Sequence, residues 1–145
     1  MKNKKYEGLI WSIAMTAFVL FCAFTVFDSD AATKPSFNFS DAHYLRTIDG
    51  DTFKVSIYCI HPIFGENLSV RLKGVDTYEI FTSDKEEKAR GVKAKKFAED
   101  ILKNGTDLRL KNCVRGSLSR IVCDVSNSKT KDLAADLKKA GHAQP

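Results

Sequence analysis

Leu9 to Phe27 is a run of 19 residues without a charge, broken only by the hydroxyls of Ser12, Thr16 and Thr25. At about 1.5 Å per residue a helix of that length nearly spans a hydrocarbon core of about 30 Å. No polar side marks a solvent face, so the run does not read as a helix of a soluble core. Lys2, Lys4 and Lys5 precede it and Asp28 and Asp30 follow, a polarity that keeps the basic end cytoplasmic. Trp11 suits an interfacial anchor near that end. The expected organisation is a basic tip at 1–8, a transmembrane signal anchor (or signal peptide) at 9–27, a linker at 28–40 and one folded domain at 41–145. The domain is expected outside the cytoplasm, membrane-attached or, if the segment is cleaved, secreted.

Three lysines balance Glu7, Asp28 and Asp30, so the whole net charge of +5 belongs to the residues that follow. That excess suits a polyanionic partner without requiring one. With 43% hydrophobic and 28% charged residues, disorder, collagen and coiled coil are disfavoured, and 145 residues leave no room for a multidomain enzyme. Outside the cytoplasm disulfides persist. Cys22 lies in the apolar run, which leaves Cys59, Cys113 and Cys123. Cys113 and Cys123 flank an expected hairpin turn and can face each other across it, with Cys59 a buried thiol or an alternative partner.

The domain alternates early and becomes helical later. Phe53 to Ile60 carries a period-2 pattern, His61 to Asn67 contains Pro62 and Gly65 and should turn, and Leu68 to Val75 returns as a strand. Thr82-Ser83-Asp84 offers N-caps, and Asp84, Glu86 and Glu87 suit a first helical turn. Ala94, Phe97, Ala98, Ile101 and Leu102 make one apolar helix face, ended at Asn104-Gly105. Leu108 to Lys111 and Ile121 to Val125 read as hairpin partners. Leu133, Ala134, Leu137 and Ala140 form a second short helix stopped by Gly141. The lysines between Lys85 and Lys103 read as a solvated helix face. Phe53, Phe64, Phe81 and Phe97 read as core, and His43, His61 and His142 as surface or strand histidines.

Two acidic clusters stand at strand ends: Asp49-Gly50-Asp51-Thr52 and Val75-Asp76-Thr77-Tyr78-Glu79. Asp-Gly alone is a turn signal. Together with Arg71, five residues before Asp76, the clusters carry the parts of metal-assisted phosphodiester chemistry. Hard carboxylate oxygens hold Ca²⁺ or Mg²⁺, a carboxylate takes a proton from water, and a guanidinium fork clamps the developing oxyanion.

These motifs resemble the staphylococcal nuclease (thermonuclease) family over roughly residues 42–143. The resemblance rests on Ile48-Asp49-Gly50-Asp51-Thr52 and on Val70 to Glu79. Gly91-x-Lys93-Ala94-x-x-Phe97, Ser119-Arg120-Ile121-Val122 and Leu137-x-x-x-Gly141-x-Ala143 extend it. It implies an α+β fold dominated by β: a five-stranded OB-fold barrel with two helices, the family's third helix having no counterpart. It also implies Ca²⁺-dependent hydrolysis of DNA and RNA, single strands preferred, to 3′-phosphate products by a monomer. Carried over residue by residue, Asp51, Asp76 and the Thr77 carbonyl resemble calcium ligands, and Glu79 the general base. Arg71 resembles the phosphate clamp, Arg120 the second transition-state arginine with Arg115 as its competitor, and Asp49 a secondary acidic residue near the metal. The chain departs from the family pattern at Tyr78, where the family has proline, and at Leu118-Ser119, where it has Tyr-Gly. The contrasting reading is a catalytically impaired OB-fold module that binds single-stranded nucleic acid or a protein partner.

Overall fold

The computed structural model describes residues 35–117 and 120–145. The apolar run at 9–27, and Leu118-Ser119, lie outside the described residues. Among the described residues no helix is long and apolar enough to cross a membrane. Lys34–Pro145 forms one compact unit.

Six strands build one curled, mixed sheet. They are β1 (Phe37–Phe39), β2 (Ala42–Thr47), β3 (Thr52–Ile57), β4 (Leu68–Leu72), β5 (Arg109–Arg115) and β6 (Arg120–Ser126), in spatial order β1-β5-β6-β4-β3-β2. Only β4 and β6 pair in parallel, which the intervening helix and hairpin strand make possible. The sheet is barrel-like, with β1 and β2 left as its two edges. The strand count corrects the expected five. β1 falls inside the segment read as linker, where three residues after Pro35 are too few to show a period. It is recruited by a bulge in β5: Asn112 takes a positive φ of 50° and its displaced N–H donates to Asn38 Oδ1 at 2.8 Å.

Three helices complete the unit: α1 (Pro62–Gly65), α2 (Lys85–Asn104) and α3 (Leu133–Lys139). The expected count of two omits α1, a single turn hidden in the His61–Asn67 segment, where Pro62 suits a first helical position. α2 begins where its sequence directs, with the Asp84 carboxylate accepting from the N–H groups of Glu86 and Glu87. Its end differs from expectation. Gly105 has φ −91° and is no left-handed cap. A side chain there would strike Asn127, whose amide instead donates to the Ile101 carbonyl at 2.9 Å. Gly141 is the true left-handed stop, at φ +74°. His142 N–H bonds Leu137 O at 2.9 Å and Gly141 N–H bonds Lys138 O at 3.1 Å. Gly74, at φ +71°, ends β4 at Leu72 rather than at Val75.

The inner face of the sheet carries Phe53, Val55, Ile57, Val70, Leu72, Leu110 and Val125, closed by Leu102 of α2 and Leu133 and Leu137 of α3. Cys113 and Cys123 are both buried and disulfide-bonded across the β5–β6 hairpin. Cys59 is free and exposed, which overturns both roles expected for it, because β3 ends at Ile57 and leaves it on the following turn. Phe53 and Phe97 belong to the core or pack on it, but Phe64 and Phe81 are 68% and 82% exposed, contrary to the core reading.

Candidate active site

The first acidic cluster is the turn between β2 and β3. The N–H groups of Ile48 and Asp49 both donate to Thr52 O, at 2.9 and 3.1 Å. Leu72 N–H donates to Asp51 O at 2.8 Å, so the ladder between β3 and β4 runs on into the turn. With Thr52 opposite Arg71 in that ladder, Asp51 and Arg71 become neighbours for reasons of backbone register alone. Arg71 Nη2 lies 2.9 Å from Asp51 Oδ2 and also bonds Asp76 Oδ1. One guanidinium nitrogen thus joins a nearly buried carboxylate, 3% exposed, to one that is 63% exposed. The Thr52 hydroxyl donates to the other Asp51 oxygen at 2.8 Å.

This local charge is unbalanced. Asp49, Asp51 and Asp76 supply three carboxylates against one guanidinium. Two further features accompany it. Among the described residues, the buried Asp49 Oδ1 has no hydrogen-bond partner. Burial lifts the Asp51 carboxyl from its ordinary 3.8 to about 7, although the Thr52 hydroxyl and Arg71 pull it down; Asp49 adds to the rise. Both features fit a cation at this place. Among the described residues, however, no group of three or more His, Cys, Asp or Glu side chains is placed to hold a metal ion.

Two small residues of α2 let the two clusters pack closely, Gly91 the second and Ala94 the first. A side-chain carbon on Gly91 would lie 2.5 Å from the Tyr78 carbonyl oxygen and 2.9 Å from that of Glu79, so only glycine lets this loop lie on the helix. One turn further along, Ala94 meets the other cluster: a carbon on Gly50 would lie 2.7 Å from Ala94 Cβ and from Thr77 Oγ1. Gly50 does not have a positive φ; close packing, rather than the turn conformation that Asp-Gly suggests, requires glycine there. Thr77 is buried in this contact. Its carbonyl accepts from Gln144 Nε2 at 3.2 Å, Gln144 N–H donates to Asp76 O at 2.8 Å, and Thr77 forms a bridge with Ala143.

Tyr78 has a restraint of its own. Arg90 donates to its hydroxyl at 3.2 Å and lies over its ring, 5.2 Å from the centroid. Nothing in the motif reading singled out Arg90 or Gln144, whose contacts exist only once α2 and the tail are folded back.

Asp51, Arg71 and Asp76 are therefore brought together, with Asp49 and Thr77 beside them. Glu79 is exposed and Arg120 bonds Ser117 Oγ at 3.4 Å. Among the described residues neither makes an ion pair or hydrogen bond with the cluster. The register separates Arg120 from its competitor. Arg71 lies opposite Val122, two residues from Arg120, and Val122 lies opposite Val114. Arg120 thus shares the face of Arg71, while Arg115, opposite Ile121, is on the other.

No protein-family model matches the chain, and no curated protein matches it.

Proposed function

We propose that this protein is a Ca²⁺-dependent phosphodiesterase of the staphylococcal nuclease type, hydrolysing DNA and RNA, single strands preferred, to 3′-phosphate products outside the cytoplasm. The observation that carries the reading is the meeting of Asp51, Asp76 and Arg71 at one guanidinium nitrogen, beside a buried Asp49 oxygen that lacks a partner among the described residues. Asp51, Asp76 and the Thr77 carbonyl would hold Ca²⁺, which supplies positive charge against the scissile phosphate. Glu79, which is exposed, takes the proton of the attacking water. Arg71 offers its planar fork to the phosphoryl oxygens, and Arg120 approaches from the adjacent strand on the same face. Asp49 stands behind the ligands and orients them.

A binding-only OB-like module is favoured by one observation: Glu79 and Arg120 stand apart from the three-residue cluster. The deciding experiment incubates the protein with single-stranded DNA in Ca²⁺, in Mg²⁺ and in EDTA, alongside Glu79→Gln. Cleavage that requires Ca²⁺ and collapses in the variant is expected. Intact DNA from a folded protein that still retains the oligonucleotide establishes the module instead.

A further inference from the structure

The far end of the sheet from the acidic turn holds a groove of about 630 Å³ between β1 and α1. Phe37 and Phe39 form one wall and Ile63 and Phe64 the other, with Lys54 and Arg115 among the lining residues. Phe37, Ile63 and Phe64 are 57%, 80% and 68% exposed, a concentration of large apolar side chains that a soluble surface rarely presents together. The tip is rigid. His61 Nδ1 accepts from Ile63 N–H at 3.3 Å, the His61 ring packs on Phe64, and a carbon on Gly65 would lie 2.3 Å from the Ile57 carbonyl. α1 is thus pressed onto the end of β3, and Ile63 and Phe64 are held outward.

We propose that this face docks on the bilayer surface, with Ile63, Phe64 and Phe37 entering the headgroup region and Lys54 and Arg115 facing anionic headgroups. Chain length favours that occupant. Nine residues separate Phe27, the end of the apolar run, from Phe37, the first residue of the groove wall. At about 3.5 Å each they reach about 30 Å at most, so β1 is tethered near the membrane. Composition favours it as well. Phe and Ile side chains with neighbouring Lys and Arg suit a membrane surface, whereas an aliphatic Ile63 ill suits a base-stacking platform. The inference rests on the Leu9–Phe27 run spanning the bilayer and is independent of the nuclease reading.

The test uses the full chain carrying Cys22→Ser, labelled with a polarity-sensitive fluorophore at Cys59, the exposed free cysteine on the turn before α1. It is reconstituted in vesicles of phosphatidylcholine and phosphatidylglycerol. The expected result is severalfold shielding of the probe from aqueous iodide and quenching by a headgroup-level nitroxide lipid. Both effects should be lost in Ile63→Asp/Phe64→Asp while that variant still floats with the vesicles. Equal iodide quenching in both proteins overturns the docking. Shielding that appears only when a single-stranded oligonucleotide is added reassigns the groove to nucleic acid, and a chain that fails to float overturns the docking together with the membrane reading.

Discussion

Asp51 should make the metal-free fold weaken as pH rises from 4 to 8, and Asp51→Asn should abolish that dependence. Burial raises the folded-state value from 3.8 to about 7, while Thr52 and Arg71 oppose the rise. Between those two values the folded protein keeps a proton that the unfolded chain has released. Stability therefore falls with rising pH across that interval. The contribution is intact below pH 3.8 and is lost as pH passes through about 7. At about 1.4 kcal/mol per pH unit the loss is on the order of 4 kcal/mol. Asparagine keeps a partner for the Thr52 hydroxyl and nearly the same volume, but cannot titrate. The assay is urea unfolding of the piece from residue 34 onward, in EDTA with the disulfide intact, followed by far-UV circular dichroism between pH 4 and pH 8. Groups remote from the cluster titrate alike in both proteins, so the difference between them reports position 51 together with Asp49 and Arg71, which are coupled to it. Asp51→Asn should gain on the parent steadily to pH 7 and then level off. Ca²⁺ added at pH 8 should raise the midpoint of the parent and leave that of the variant unchanged. A difference that stays flat from pH 4 to pH 8 refutes the argument that burial outweighs Arg71 at this carboxylate.

Other consequences of the geometry can be checked separately. Arg71→Lys keeps the positive charge but removes the planar fork that would clamp the phosphate, so kcat should fall by orders of magnitude while the circular dichroism spectrum persists; comparable turnover removes the clamp assignment. Gly91→Ala places a methyl 2.5 Å from the Tyr78 carbonyl, which should cost about 1–3 kcal/mol of stability by overpacking and displace Glu79. Full activity in a destabilised Gly91→Ala protein would show that this loop does not position the base. Reducing the Cys113–Cys123 bond, which closes a loop of sequence separation 10, should cost about 2–3 kcal/mol in urea unfolding. Free thiols at both positions in non-reducing mass spectrometry would contradict the linkage.

Much of the frame is visible in the residues because local chemistry governs it. Asp84 caps α2 through its own carboxylate, Gly141 stops α3 through its tolerance of positive φ, and the spacing from Ala94 to Leu102 turns one stripe inward. The β5–β6 hairpin likewise follows from two alternating runs that are neighbours in sequence. β1 and α1 are different. Three residues beside Pro35 and a single turn after His61 have no periodicity to read, and each exists because a neighbour completes it: the Asn112 bulge for β1, the end of β3 for α1.

The same division runs through the site. Sequence alone determined which side chains are available: two acidic clusters, the arginine between them and the small residues of the Gly91–Ala94 segment. Asp51, Arg71 and Asp76 were legible as candidates because their types and order suit one chemistry. Only the tertiary structure decided that the β3–β4 ladder sets Asp51 beside Arg71, that Gly50 and Gly91 are glycines for packing, and that Arg120 shares the face of Arg71 while Arg115 does not. Spacing along the chain specifies what a local segment can form. Which distant segments meet, and how much water is excluded where they do, depends on register and close packing across the sheet, and burial is what changes the chemistry of Asp51.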